Sequence, residues 1–70
     1  MRYKLRDDIE VDFDNQRRIA KRIGISEVTL CNILNKKATT SKPVAFFIVY
    51  LNGGTYEEID NYFELVKKGG

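Results

Sequence analysis

Histidine and tryptophan are absent from this 70-residue sequence, and cysteine occurs once, at Cys31. One cysteine cannot form an internal disulfide, and without histidine it cannot complete the ligand shell of a zinc site. The commonest general base is also missing. Because no nucleophile–base pair or phosphate-binding loop replaces it, we expect a protein that is not an enzyme and binds neither a metal nor another cofactor.

Long hydrophobic runs are absent as well. The longest, residues 44–51, contains eight residues, whereas a membrane-spanning helix needs about 20. The N-terminal residues alternate in charge and lack the apolar stretch of a signal peptide. With 43% apolar and 31% charged residues, the sequence predicts a single cytoplasmic domain over residues 1–70.

The net charge is only +2, but the charges are unevenly distributed along the chain. Residues 16–42 carry seven lysines and arginines against one glutamate, whereas residues 1–15 and residues 43–70 each have a balance of −2. A basic middle between acidic ends is typical of a domain that presents one face to a polyanion. A basic surface that simply faces solvent fits the composition equally well.

The first 13 residues fit two patterns. Leu5, Ile9 and Phe13 recur every four residues, which is typical of one face of a helix. Ile9, Val11 and Phe13 also alternate with acidic residues, as in a short strand. We favour a short helix over residues 4–10, the first of five.

Two helices joined by a short turn are predicted in the basic middle. Asp14 or Asn15 can cap the first of them, residues 16–23, because each offers an acceptor to unpaired amide groups. Gly24 ends this helix, since glycine enters the left-handed region without a Cβ penalty. The second helix covers residues 27–35.

The rest of the chain predicts two more helices. Ser26 caps helix 27–35. A fourth helix opens at Ser41 or Lys42, has Pro43 in its first turn, contains the apolar residues 44–51 and stops at residues 52–54. The fifth helix begins with a Thr-x-x-Glu capping box. That box consists of Thr55 and Glu58. The helix is expected to turn Tyr56, Ile59, Phe63 and Val66 inward and to end in a basic last turn, Lys67 and Lys68.

The segment from residue 16 to residue 34 has the pattern of a DNA-binding helix-turn-helix. A small residue, Ala20, stands where the second helix must cross the first, and Gly24 follows it four residues later. Ile25 fills the corner, and apolar residues of both helices face each other. Seven positions share this register: Ile19, Ala20, Ile23, Gly24, Ile25, Leu30 and Ile33.

Over residues 16–35 the sequence resembles the Cro and lambda-repressor-like (XRE-type) helix-turn-helix family of phage and bacterial regulators. The resemblance implies a compact all-α bundle of five helices and binding of double-stranded DNA in the cytoplasm of a bacterial host. It implies that helix 27–35 enters the major groove and that residues around it contact phosphates. The implied DNA-binding residues are Gln16, Glu27, Val28, Thr29, Asn32, Asn35, Lys36 and Lys37.

The chemistry of these side chains also supports DNA binding by this surface. Asparagine can read adenine, valine and threonine methyl groups can pack on the methyl group of thymine, and glutamate can accept from cytosine. Arg17, on the first turn of helix 16–23, adds a salt-dependent attraction to phosphate.

Two positions depart from the family pattern. Glu27 puts a negative charge at the front of a helix that would face a polyanion. Three explanations are open: Glu27 reads a cytosine, it pairs with Gln16 or Arg17, or it belongs to a surface that binds a protein. Lys36 stands where family members often have glycine, and Asn35 is expected to take the turn conformation in its place.

The leading hypothesis is a sequence-specific regulator of transcription, either a repressor or a small switch protein of a phage or mobile element. We expect it to act on DNA as a symmetric homodimer, joined through the fourth helix, the fifth helix or the segment between them by Tyr50, Tyr56 and Tyr62. The alternative is an antirepressor or modulator that binds another phage or host regulatory protein. The acidic ends, Glu27 and the small net charge favour this alternative.

Overall fold

The computed structural model describes residues 2–66. The two ends of this range form two short strands that pair with each other in antiparallel fashion. Between them lie three α-helices, a 3₁₀ turn and a short fourth helix. The predicted all-α bundle of five helices is therefore wrong, and the fold is a mixed α/β domain. The elements are β1 (Arg2–Leu5), α1 (Gln16–Ile23), α2 (Glu27–Leu34), α3 (Lys42–Leu51), the 3₁₀ turn (Tyr56–Glu58), α4 (Ile59–Tyr62) and β2 (Phe63–Val66).

Strand β1 is held on both sides. It pairs with β2 so that Arg2 lies opposite Val66 and Leu5 lies opposite Phe63. On its other side, the N–H of Tyr3 donates to the carbonyl of Thr40 at 2.7 Å, and the carbonyl of Tyr3 accepts from the N–H of Thr40 at 2.8 Å. Because both edges of β1 have partners, a four-residue strand is stable here although it is too short to stand alone.

The helix predicted over residues 4–10 does not form. Tyr3 and Leu5 are buried with their neighbours exposed or half-buried, which is the alternation of a strand. After the strand the chain turns, and the N–H of Ile9 donates to the carbonyl of Arg6 at 3.1 Å. The apolar side chains of the first 13 residues do reach the core, as both patterns required, but they do so from a strand and an irregular segment.

The predicted fifth helix is also wrong beyond its first turns. It forms only the 3₁₀ turn and α4, and Phe63 is extended, with φ −123° and ψ 150°. Arg6 ends the helix from outside, because its N–H donates to the carbonyl of Tyr62 at 2.9 Å and its Nε to the carbonyl of Asp60 at 2.8 Å. Tyr56, expected to face inward, is exposed. The basic last turn predicted at Lys67 and Lys68 lies outside the described residues.

Several local predictions are confirmed. Helix α1 has the predicted bounds, and its cap is Asn15, whose Oδ1 accepts from the N–H of Arg18 at 3.0 Å. Gly24 ends it with φ 94°. The Ser26 hydroxyl caps α2, which is one residue shorter than expected. The capping box of Thr55 and Glu58 is also present.

The core is centred on α3, as its uninterrupted apolar sequence predicts. Ala45, Ile48 and Val49 have no exposed surface, and α3 packs against β1, the 3₁₀ turn and α4. Every helix within residues 2–66 is too short or too polar to traverse a bilayer. The buried apolar residues are Tyr3, Leu5, Val11, Ala20, Leu30, Ile33, Leu34, Ala45, Ile48, Val49, Ile59 and Phe63.

Candidate nucleic-acid interface

Helices α1 and α2 pack against each other across a three-residue connection, residues 24–26. Ala20 is only 2% exposed, so the site where the helices meet has no room for a larger side chain. The N–H groups of Gly24 and Ile25 both donate to the carbonyl of Ala20, which fixes the turn. The remaining apolar positions of the predicted register are buried or packed on the core: Ile19, Ile23, Ile25, Leu30 and Ile33.

The start of α2 projects into solvent. Glu27, Val28 and Thr29 are exposed, and Val28 is 70% exposed, an unusual environment for a β-branched apolar side chain. The Ser26 hydroxyl donates to Thr29 Oγ1 at 2.7 Å and accepts from the Thr29 N–H at 3.1 Å. These bonds fix the Thr29 side chain, so that its methyl group and the Val28 side chain form a small apolar surface at the front of the helix.

The far end of α2 carries the two asparagines. Asn32 is half-buried and Asn35 is exposed, and Asn35 Nδ2 donates to the sulfur of Cys31 at 3.2 Å. The expectation that Asn35 takes the left-handed turn conformation is wrong. Its φ is −88°, whereas Lys36 itself has φ 64°.

The turn after α2 explains why a lysine adopts this conformation. The N–H of Lys36 donates to the carbonyl of Ile33, and that of Lys37 donates to the carbonyl of Asn32 at 2.8 Å. These two bonds are those of a Schellman motif, which satisfies the last carbonyls of a helix and requires one left-handed residue. The turn directs both lysines away from the helix axis into the following loop.

Gln16 and the end of α2 share a shallow depression. Gln16, Asn35 and Lys36 line it, together with Glu10 and Asp12 from the segment before α1. The start of α1 and the end of α2 therefore form one surface, as the predicted interface requires. The two carboxylates make this side acidic, which the sequence analysis did not anticipate.

A second depression lies on the other side of Lys36 and is basic. Its lining consists of Arg2 and Lys4 from β1 and of Lys36, Lys37, Ala38 and Thr39 from the loop after α2. We call these six residues the basic groove. In the sequence Arg2 and Lys4 lie in an acidic region, and neither was among the predicted DNA-binding residues. The alternation of charged and apolar residues over residues 2–6 was the available signal for a strand.

Charges on the interface are largely free of internal partners. Within residues 2–66 the only ion pair joins Lys4 Nζ to Asp7 Oδ1 at 3.6 Å. Glu27 therefore does not pair with Arg17 in the described part of the chain, and both side chains are exposed. In the same residues no group of three or more Cys, Asp or Glu side chains is placed to hold a metal ion.

Comparisons with protein-family models, with curated proteins and with solved structures found no match for this chain. They therefore do not support the family resemblance expected over residues 16–35, which stays a prediction. The strands and the short α4 belong to a different arrangement from the bundle that the resemblance implies.

Proposed function

We propose that this protein is a sequence-specific regulator of transcription that binds double-stranded DNA and inserts α2 into the major groove. It is not an enzyme in this proposal. It acts as a repressor, or as a small switch protein of a phage or mobile element, in the cytoplasm of a bacterial host. At the level of chemistry, α2 reads base edges while the residues around it contact phosphates.

One observation carries the proposal: two kinds of recognition group are adjacent on one helix and the turn that follows it. Val28, Thr29 and Asn32 supply methyl groups and an amide for base edges. Lys36 and Lys37 follow through a fixed turn and supply the charge that phosphates require. Gln16, at the start of α1, lines a depression together with Asn35 and Lys36, and the exposed Arg17 follows it in the sequence.

Asn32→Ala and Lys37→Ala should separate the two kinds of contact. We expect Asn32→Ala to weaken binding to a selected site by about 1–3 kcal/mol while changing binding to random duplex little, because it removes a base contact. We expect Lys37→Ala to weaken both about equally and to flatten the salt dependence. A selection of binding sites followed by titration of both duplexes measures this.

The matched control is Asn61→Ala, which removes the same side chain from an exposed position on α4. It should leave both affinities unchanged. If Asn32→Ala behaves like Asn61→Ala on the selected site, Asn32 does not read a base. If the wild-type protein binds no duplex even at low salt, the proposed function is wrong.

We further propose that two copies bind each operator. One recognition helix covers only about half a turn of the major groove, and two copies place their helices about 34 Å apart. Among the three candidate tyrosines, Tyr50 is 62% exposed. The other two have internal contacts: Tyr56 packs edge-on against Phe46 with ring centroids 4.7 Å apart, and the Tyr62 hydroxyl accepts from Asn52 at 3.3 Å.

Stoichiometry tests this pairing. We expect two chains per duplex at saturation and a selected site with two half-sites related by a dyad. A Tyr50→Arg variant should bind a single half-site as well as the wild type does but should lose the gain in affinity on the full site. One chain per full-affinity duplex would show that the protein acts as a monomer.

A second function is favoured by one feature of the same surface. Glu27 is exposed and unpaired within residues 2–66 at the tip of α2, beside the exposed Val28. A carboxylate beside an apolar side chain suits a protein partner better than a polyanion, so the alternative is an antirepressor or modulator that binds another regulatory protein. Affinity for random duplex that does not fall with salt would favour this alternative over DNA binding.

A further inference from the structure

The geometry points to the basic groove as a second phosphate-binding site, in which β1 holds the DNA backbone beyond the C-terminal end of α2. This inference rests on the proposed function, because it extends the same DNA contact. It adds Arg2 and Lys4 to the surface, and it predicts that the strand, as well as the helix pair, touches the duplex.

Strand geometry requires both cations to face the same way. Tyr3 and Leu5 are buried, and side chains alternate between the two faces of a strand. Arg2 and Lys4 therefore lie together on the outer face of β1, opposite Val66 and Glu64 of β2.

The loop that carries the other two cations is bound directly to this strand. Two backbone hydrogen bonds join Tyr3 to Thr40, and Arg2 reaches the adjoining residue as well. Its Nε donates to Thr39 Oγ1 at 3.1 Å and its Nη2 to the Thr39 carbonyl at 2.8 Å. A guanidinium has five N–H groups, so this anchored side chain keeps donors for a phosphate. The groove is thus fixed before any ligand binds.

Neighbouring carboxylates select the side from which a polyanion approaches. Glu10 and Asp12 line the depression on one side of Lys36, whereas the groove on the other side is lined by cations. Phosphates are therefore attracted more strongly to the second side than to the first. Two carboxylates lie close to the groove: Asp7, paired with Lys4 at 3.6 Å, and Glu64, opposite Lys4 on β2. In the pair with Asp7, Lys4 is half-buried and Asp7 is exposed; a pair at the surface is weak, so a phosphate can replace Asp7.

The position of the groove relative to α2 defines which phosphates it binds. The Schellman turn leads from the last residues of α2 directly to Lys36 and Lys37, which form one wall of the groove. A phosphate held there belongs to the backbone that flanks the bases contacted by α2. The contact carries no sequence information and fixes the register of the protein on the duplex.

Lys4→Gln, compared with Arg22→Gln, tests the groove on random duplex DNA at several salt concentrations. Both variants lose one charge, but Arg22 lies on the last turn of α1, away from the groove. Lys4 makes only a surface ion pair, so neither variant should disturb folding, which a thermal melt checks. We expect Lys4→Gln to reduce the slope of log affinity against log salt by about 0.9, and Arg22→Gln to leave the slope unchanged.

The two proposals fail in different ways. If Lys37→Ala flattens the salt dependence while Lys4→Gln matches Arg22→Gln, the groove proposal is overturned and the proposed function stands. If no variant and no wild-type protein binds duplex, both are overturned. Lys4→Arg keeps the charge, so it should restore the wild-type slope. A flattened slope in Lys4→Arg would also contradict a phosphate contact.

Discussion

Replacing Phe63 by alanine should remove most of the free energy of unfolding of the domain. Phe63 is the first residue of β2, has no exposed surface and is the largest fully buried side chain among residues 2–66. Removing a buried phenylalanine costs about 3–5 kcal/mol. Small domains have total stabilities near the lower end of about 5–15 kcal/mol, so the loss is comparable with the whole free energy of unfolding.

Leu65→Ala is the matched control for this prediction. Leu65 lies on the same strand, two residues further along and 45% exposed, so its truncation should change the free energy of unfolding by much less. Thermal and urea melts of both variants make the comparison. If Phe63→Ala melts at the wild-type temperature, Phe63 is not a core residue and the strand pairing described above is wrong.

Ala20→Leu should have the second largest effect, because it acts where α1 and α2 meet. The alanine side chain is 2% exposed, and a leucine at this position must push the two helices apart. Overpacking a core costs about 1–3 kcal/mol, which is a large share of the stability of a domain of this size. The same displacement moves α2 relative to α1, so any folded fraction should also bind DNA less tightly.

Lys21→Leu controls for the added side chain itself. It places a leucine on the exposed surface of the same helix, one residue away, and should shift the melting temperature little. If the denaturant melt of Ala20→Leu overlays the wild-type curve, α1 and α2 are not in close contact at Ala20, and the proposed interface loses its basis.

The helices in the middle of the chain could be predicted because their limits are set locally. Asn15 and Ser26 accept from amide groups three residues away, and Gly24 takes a left-handed conformation that other residues adopt at a cost. Each signal needs only a few neighbouring residues. The bounds of α1 and the start of α2 were therefore correct.

The ends of the fold could not be predicted because their partners are distant in sequence. Residues 2–5 form a strand only because residues 63–66 and Thr40 pair with them. The spacing from Tyr56 to Val66 fits a helix face, yet α4 stops at Tyr62, where Arg6 takes up the free carbonyls. No residue near position 62 signals this stop, since the groups that satisfy the helix end come from the other end of the chain.

In the candidate site, too, only the features that depend on neighbouring residues could be predicted. The exposed start of α2 follows from the helix period, and Val28 and Thr29 lie where the sequence placed them. The left-handed Lys36 could not be foreseen, because the turn geometry overrides the usual preference for glycine or asparagine. The charge balance of residues 1–15 concealed that β1 places Arg2 and Lys4 in one groove with Lys36 and Lys37.

Pairing of Arg2 with Val66 closes a loop that contains every helix the structure describes. Helices and short turns form in about a microsecond, whereas contacts between distant segments wait for the loop to close. This difference predicts that α1, the turn and α2 form before β1 brings Arg2 and Lys4 to the groove. In the proposed complex, a molecule whose sheet has opened keeps the exposed start of α2 but loses two cations, so local unfolding at the strands should weaken phosphate binding before it affects the recognition of bases.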